Sequence, residues 1–348
     1  MPAANLGFPY DPELFLMSWR NVADPTRTAL FDSGAVQQNS QIRSLISNGS
    51  DLYTIPFYDI IGGDPDNYDG TADITVTATT GRSQTGVVYG RGHAWKSQDF
   101  VVDFNSGANP MVQIASQVDR YWQKQRQKIL LAILKGIFAT TDDDGGYLNA
   151  WKNHTTSLVV TSDTNPADAN MMGEATAAEA IQKAVGDNSN IFSLGVMHSK
   201  VALGLAKKEL LEFRKYTDPQ GIQRTLNIAD YNGMTVLVDD GVPVEANAAA
   251  DSKATDYTSY FFGIGAIQMA PAPVLNAVEM GRERLEKGGY DYMVTRLRET
   301  QHPNGFTFKA PSVGYTKSPT NAQLEAAATW GIAVDPKTIP IVKVVTNG

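Results

Sequence analysis

One stretch of the sequence, residues 109–139, constrains the fold more than any other, because it is patterned as one unbroken helix. It opens with Asn109 and Pro110, an N-capping residue followed by proline at the first helical position. At 1.5 Å per residue, this helix is expected to be about 45 Å long. Such a length is typical of a structural girder, and an ordinary core helix is the alternative interpretation.

One face of the predicted helix is apolar at helical spacing, whereas the opposite face of its first half is polar. Residues 129–138 are apolar nearly all round, so this end of the helix is expected to be buried. The pattern predicts the residues that pack the helix onto the rest of the chain: Ile114, Val118, Trp122, Ile129 and Ile133.

The composition indicates a protein with an ample core and covered surfaces. The chain has 348 residues, of which 42% are hydrophobic, enough for two domains or one elaborate domain. Charged residues make up 19%, somewhat less than the usual quarter, which indicates that subunit contacts cover part of the surface. The net charge of -8 argues against a general nucleic-acid binder.

Cysteine is absent, which excludes disulfides, thiolate metal sites and a cysteine nucleophile. The N-terminus does not resemble a signal peptide, and no run of about 18 apolar residues is present. The sequence therefore predicts a soluble protein made and folded in a cytoplasm, with no membrane partner.

The region before the long helix divides into an arm and a ribbon. Residues 1–51 form an irregular lead-in whose large apolar side chains, such as Trp19, are expected to dock on the body or on a neighbouring chain. Residues 52–104 are expected to form a ribbon of two to four strands with little continuous apolar surface. The predicted strands lie at 53–57, 71–80, 85–89 and 100–104. Because such a ribbon is marginal alone, it needs a partner surface.

Helices and strands alternate after residue 174, in an α+β pattern. Helices are predicted over 174–185 and 199–215. Strands are predicted at 191–197, 235–238, 260–269, 292–297 and 305–309. The last strand, 339–345, contains a proline and is expected at the edge of a sheet.

The sequence carries no arrangement typical of a catalytic, cofactor or metal site. None of the four histidines has metal-ligand spacing, and the aspartates at 142–144 lack the glycine and glutamate of a calcium loop. No phosphate-binding loop, dinucleotide fingerprint or nucleophile elbow is present. Arg82 and Arg91 lie on the predicted ribbon, where they either meet carboxylates of another subunit or are solvated.

Several passages resemble the major capsid proteins of tailed bacteriophages. The passages GVVYGRGHAWKSQDF (86–100) and ANPMVQIASQVDRYWQKQRQKILLAILKGIFA (108–139) are similar to the ribbon-to-helix segment of one branch of these coat proteins. The later passages HPNGFTF (302–308), VGYTKSPTNAQL (313–324) and DPKTIPIVKVVTN (335–347) are similar to the end of the same proteins. The resemblance covers nearly the whole chain.

This resemblance implies an α+β, HK97-like phage capsid fold. The implied parts are an N-terminal arm, an extended β-ribbon loop, a peripheral domain with the long spine helix, and an axial domain. Their expected boundaries are 1–50 for the arm, 51–104 for the extended loop, 105–173 for the peripheral domain with the spine helix at 109–139, 174–300 for the mainly axial domain, and 301–348 for a return to the peripheral domain with the C-terminal strand.

The resemblance further implies a structural protein with no enzymatic activity and no cofactor. It predicts a virion subunit that self-assembles through hexamers and pentamers into an icosahedral shell around double-stranded DNA. The implied further partners are a scaffolding protein, portal and decoration proteins, with packaged DNA on the inner face bound without sequence specificity. Synthesis and assembly are expected in the cytoplasm of a bacterial host.

Residues of the arm and ribbon are expected to make the contacts between subunits: Trp19, Phe57, Arg82, Tyr89 and Arg91. The extended loop has no lysine before Lys96, so an isopeptide crosslink from residues 51–95 is not expected. The alternatives are an encapsulin-like shell protein of a cellular nanocompartment and a tail or neck structural protein. An α+β enzyme is the alternative from a different class.

Overall fold

The computed structural model describes residues 35–58, 64–68, 73, 76, 81–99, 110–143, 145–161, 166–217, 223–247, 254–310, 314 and 317–348. For residues 110–116, 214–217 and 223–228 only the backbone is described. The predicted arm contact Trp19, the N-cap Asn109, the predicted strand 100–104 and most of the predicted strand 71–80 lie outside the described residues. The side chain of Ile114 also lies outside them.

The long helix is confirmed as one continuous element of 30 residues, Pro110–Ala139. Five shorter helices accompany it in the described part of the chain. In chain order, the helices are α1 (Ser40–Ile46), α2 (Pro110–Ala139), α3 (Leu148–Lys152), α4 (Thr176–Val185), α5 (Ser199–Lys207) and α6 (Asn321–Glu325).

A five-stranded sheet and a two-stranded ribbon form the first body of the protein. In chain order, the strands are β1 (Val36–Gln38), β2 (Leu52–Tyr58), β3 (Gly81–Val87), β4 (Tyr89–Gln98), β12 (Ile267–Pro271), β13 (Val278–Glu283) and β14 (Tyr290–Pro303). The central strand is β14, which pairs with β4 along one edge and with β12 and then β13 along the other, while β1 extends the sheet beyond β12. Strands β2 and β3 form the ribbon.

An eight-stranded mixed sheet forms the second body. Its strands run in the order β5-β17-β11-β6-β9-β8-β7, and β10 also pairs with β11. These strands are β5 (Thr155–Ser157), β6 (Phe192–Met197), β7 (Glu212–Thr217), β8 (Gln223–Tyr231), β9 (Met234–Val238), β10 (Val244–Ala246), β11 (Thr255–Gly263) and β17 (Ile341–Thr346). A separate short hairpin consists of β15 (Phe306–Phe308) and β16 (Trp330–Ile332).

Two of the secondary-structure predictions are wrong for local reasons. The helix predicted over 199–215 ends at Lys207, because Glu209 has a φ of 57° and the backbone cannot continue as a helix through it. The chain then forms β7. The C-terminal strand is not an edge strand: β17 lies between β5 and β11, and Pro340 immediately precedes it, where its missing N–H leaves the ladder intact.

The predicted ribbon over residues 52–104 was expected to need a partner surface, and for residues 89–98 that partner lies in the same chain. Residues 89–98 form β4, which pairs with β14 over ten residues, from Tyr89 opposite Glu299 to Gln98 opposite Tyr290. The chain therefore continues from the ribbon of β2 and β3 into β4, a strand that the five-stranded sheet stabilises.

The long helix α2 joins the two bodies through its buried face. Val118 and Trp122, in its first half, pack against Val278 and Met293 of the five-stranded sheet. The second half enters the main core, which contains side chains from the eight-stranded sheet and from the β15–β16 hairpin. The helix residues of that core are Ile129, Ala132, Ile133, Leu134 and Ile137.

Candidate assembly surfaces

A buried ionic network lies at the junction of α2, β4 and β14. Glu299 of β14 is fully buried, and its Oε2 lies 2.8 Å from Nε of Arg126 on the helix. The Tyr89 hydroxyl donates a hydrogen bond of 2.9 Å to Glu299 Oε1. Burial raises the pKa of Tyr89 well above its ordinary value, and the negative charge of Glu299 raises it further. The network fastens the helix to two neighbouring strands.

The next residue of the helix contacts the other sheet. The Gln127 side-chain amide donates a hydrogen bond to Oδ2 of Asp239, directly after β9. The other carboxylate oxygen of Asp239 accepts a 2.9 Å hydrogen bond from the backbone N–H of Gly241. Burial raises the pKa of Asp239 above its ordinary value. Arg126 and Gln127 thus connect a single turn of α2 to both sheets, which sets the position of one body relative to the other.

The four predicted packing residues of α2 with described side chains are all buried: Val118, Trp122, Ile129 and Ile133. The indole Nε1 of Trp122 also donates a 3.1 Å hydrogen bond to Oγ1 of Thr295 on β14. This bond satisfies the polar group of an otherwise apolar contact, as buried polar atoms require. The helix is therefore seated on β14 by both packing and hydrogen bonding.

The ribbon is attached to the five-stranded sheet at its base. The Tyr53 hydroxyl of β2 is hydrogen-bonded to Thr300 at 2.9 Å, and Oε1 of Gln84 in β3 lies 3.2 Å from Nε2 of His302. Tyr58, at the other end of β2, is 80% exposed. The base of the ribbon is thus fixed by β14, whereas Tyr58, at the other end of β2, is exposed.

His302 is buried, and burial lowers its pKa to about 4. Because Gln84 Oε1 is an acceptor, the neutral ring carries its proton on Nε2. The folded state binds this proton more weakly than the unfolded chain, whose histidine has a pKa near 6.5. The contribution of His302 to the free energy of unfolding is therefore fully present above about pH 6.5. As the pH is lowered towards 4, this contribution falls by about 3 kcal/mol.

A His302→Gln variant is expected to remove this part of the acid sensitivity. Thermal unfolding of the unassembled subunit, measured from pH 7 to pH 4, should show a smaller loss of stability in the variant than in the wild type. His93→Gln is the matched control, because His93 is exposed on β4. Equal acid sensitivity of the His302 variant and the wild type would contradict the assignment.

The predicted intersubunit residues have different surroundings. Phe57 and Arg82 face each other across the ribbon, both half-buried, and the Arg82 guanidinium lies 5.3 Å from the ring centroid of Tyr147. Tyr89 is 1% exposed, and its side chain is occupied within the subunit. We therefore do not retain Tyr89 as an intersubunit contact. The roles of Trp19, Phe57 and Arg82 stay predictions.

Arg91 also makes contacts within its own chain. Its guanidinium donates hydrogen bonds to the backbone oxygen of Pro319 at 2.8 Å and to Oδ1 of Asn321 at 3.0 Å. Burial lowers its pKa below the ordinary value. The arginine fastens the start of α6 to β4, and an additional contact with another subunit stays a prediction.

Exposed apolar side chains lie at the turns that flank β13. Leu275, in the turn before β13, is 96% exposed, and Leu285, in the turn after it, is 91% exposed. The two turns lie at opposite ends of β13, so each leucine is a separate exposed apolar side chain of a kind that is common on protein surfaces. The sequence analysis selected neither residue; Leu285 is an isolated leucine among charged neighbours, which carries no signal.

The described residues contain no group of three or more side chains suited to hold a metal ion. None of the helices that the structure describes is long and apolar enough to cross a membrane.

Comparison with solved structures identifies the fold of this chain. The chain superimposes on the capsid of cyanophage Pam1 with a TM-score of 0.55 and 11% identity, covering 94% of both chains. It superimposes on the capsid of Ralstonia phage GP4 with a TM-score of 0.53 and 10% identity, covering 91% of this chain and 88% of that one. The predicted α+β, HK97-like phage capsid fold is confirmed.

A sequence relative extends this likeness beyond the fold. The chain is 28% identical over 318 residues to the major capsid protein of Bacillus phage SPP1, covering 91% of this chain and 90% of the relative. The resemblance to phage major capsid proteins found in the sequence is thereby confirmed. No family model matches the chain.

Proposed function

We propose that this protein is the major capsid subunit of a phage and has a structural, non-enzymatic role. Copies of the chain assemble through hexamers and pentamers into an icosahedral shell that encloses double-stranded DNA. The observation that carries the proposal is the 28% identity to a major capsid protein over 91% of the chain. The exposed apolar turns and the exposed end of the ribbon support assembly, because they leave apolar surface uncovered in one subunit.

The structure suggests how the parts of the subunit serve such a shell. We place the five-stranded sheet with α2 in the peripheral domain, although its strands β12 to β14 fall largely within residues 174–300, which were expected to be mainly axial. The eight-stranded sheet is the proposed axial domain, although β5 and β17 fall within the expected peripheral segments. Strands β2 and β3 belong to the proposed extended loop. Arm and ribbon contact neighbouring subunits. A scaffolding protein, a portal and decoration proteins are the further proposed partners, and assembly takes place in the bacterial host cytoplasm, without a membrane partner.

Electron microscopy of the protein expressed alone, together with light scattering of the same sample, tests the proposal. Closed shells, or capsomers with five- and six-fold symmetry, are expected. A monodisperse monomer that persists at high concentration and with a crowding agent would contradict the proposal. Rings or tubes would instead indicate a tail or neck protein.

Replacement of Leu285 by aspartate is expected to reduce the yield of shells at least tenfold without unfolding the subunit. A charge at this turn is solvated in the free subunit but must be desolvated when a neighbouring subunit covers it. The yield is read from sedimentation and microscopy, and thermal unfolding of the unassembled subunit is the control, with a midpoint expected within about 2 °C of wild type. Normal shell yield with Leu285→Asp would exclude the turn as a contact.

A further inference from the structure

The long helix α2 presents a row of exposed cations on the face opposite its buried side. Arg120, Lys124 and Lys128 are all exposed, and we call these three residues the basic ridge. At 100° per residue they lie within a sector of about 80°, roughly opposite Trp122 and Ile129. Successive cations are about 6 Å apart along the axis. In a chain of net charge -8, this is a local concentration of positive charge.

The ridge is not explained by contacts within the subunit. None of its three residues has an ion-pair partner in the part of the chain that the structure describes. Lys135, two turns further on, shares the same face, but it lies 3.6 Å from Glu325. Like charges four residues apart destabilise a helix by about 0.2–0.5 kcal/mol per pair. The subunit therefore keeps the ridge at a cost to the helix.

The chemistry of the ridge suits a regular line of negative charge. Exposed Gln117 lies on the same face and supplies an amide donor of the kind that binds phosphate oxygens. Leu131, between Lys128 and Lys135, is partly buried and packs against the core, so it offers no apolar anchor. A protein partner needs a desolvated apolar centre in its interface, whereas a nucleic-acid backbone needs only spaced cations.

We infer that the basic ridge contacts the phosphate backbone of double-stranded DNA, without reading its sequence. The inference rests on the proposed function, which supplies the DNA. It deepens that function because it assigns the DNA-facing surface to α2. Duplex DNA carries one charge per about 1.7 Å of axis, so three cations neutralise only a small part of the charge they face. The contact is accordingly weak and sensitive to salt.

Fluorescence anisotropy of a labelled mixed-sequence 40-base-pair duplex, titrated with the full-length unassembled subunit, tests the inference. The variant Arg120→Gln/Lys124→Gln/Lys128→Gln is expected to bind at least tenfold more weakly at low salt. The slope of log affinity against log salt should become smaller by about 3, one for each lost phosphate contact. The control Lys152→Gln/Lys207→Gln/Lys337→Gln removes the same charge from exposed sites elsewhere and should stay within twofold of wild type.

Equal weakening by both triple variants, or no binding by the wild type, would overturn the inference. Binding of a polyglutamate peptide that depends on the ridge, without binding of the duplex, would overturn it in favour of an acidic protein partner. Microscopy of the ridge variant separates the two proposals. If shells form normally but bind no DNA at the ridge, the inference about the ridge fails and the proposed function stands. If the protein binds DNA but never assembles, the proposed function fails and only the inference about the ridge stands.

Discussion

Replacement of Arg126 by methionine is expected to lower the free energy of unfolding by about 3–5 kcal/mol, the usual cost of leaving a buried charge without its partner. Glu299 is fully buried, and its described partners are Arg126 and the Tyr89 hydroxyl. Methionine keeps most of the apolar contact of the arginine stem but cannot compensate the carboxylate. Urea denaturation of the unassembled subunit measures the loss.

Two further variants decide whether the effect arises from the ion pair. Arg120→Met makes the same substitution at an exposed position of the same helix and should change stability by less than about 0.5 kcal/mol. The double variant Arg126→Met/Glu299→Gln should recover most of the loss, because glutamine removes the buried charge and still accepts the Tyr89 hydrogen bond. Additive effects of the two substitutions would contradict this account.

Replacement of Gly136 by alanine is expected to destabilise the protein by about 2–4 kcal/mol, although alanine is the better helix former by about 1 kcal/mol. A Cβ atom at this position would lie 2.1 Å from the backbone oxygen of Leu324 and 2.7 Å from Nε1 of Trp330. Those two atoms form a buried hydrogen bond of 2.8 Å. Helix α2 must therefore move away from α6, which strains the core and disturbs that bond.

The other glycine inside an α-helix of the described residues provides the matched comparison. A Cβ atom at Gly204 of α5 would lie 3.6 Å from its nearest neighbour, the carbonyl carbon of Gly348, which is an ordinary contact. Gly204→Ala is therefore expected to stabilise the protein, by up to about 1 kcal/mol. Denaturation measures both variants, and the fluorescence of Trp330 should change only with Gly136→Ala. A stabilised Gly136→Ala protein would show that the two helices are less closely packed than described.

The ionic network and the close approach at Gly136 were not predicted from the sequence. Arg126 was one polar residue among many in the helix, and Glu299 lies 173 positions away in a strand with polar neighbours. Nothing near either residue signals that it is buried or paired. In the sequence alone, Gly136 is only a residue of low helix propensity within the helix. Its close approach to α6 and Trp330 becomes apparent in the folded structure. Each feature depends on residues that are distant in the chain.

Strand β4 shows the same limit. Residues 89–98 include two glycines and alternate poorly between apolar and polar side chains, so no strand was predicted between 89 and 100. The segment is nonetheless a regular strand, because β14 offers ten consecutive backbone partners. The predicted edge position of the last strand was wrong for a related reason, since Pro340 precedes the ladder that β5 and β11 complete around β17.

Local pattern was sufficient where the information lies within a few neighbouring residues. The apolar periodicity and starting proline of α2, the apolar runs of the eight-stranded sheet and the overall α+β class were all readable from the chain. Strand partners and the burial of Glu299 and His302 depended on folding. Those features arise from contacts between distant segments and from the removal of water around them. The periodicity of a single segment encodes neither the contacts nor the loss of water.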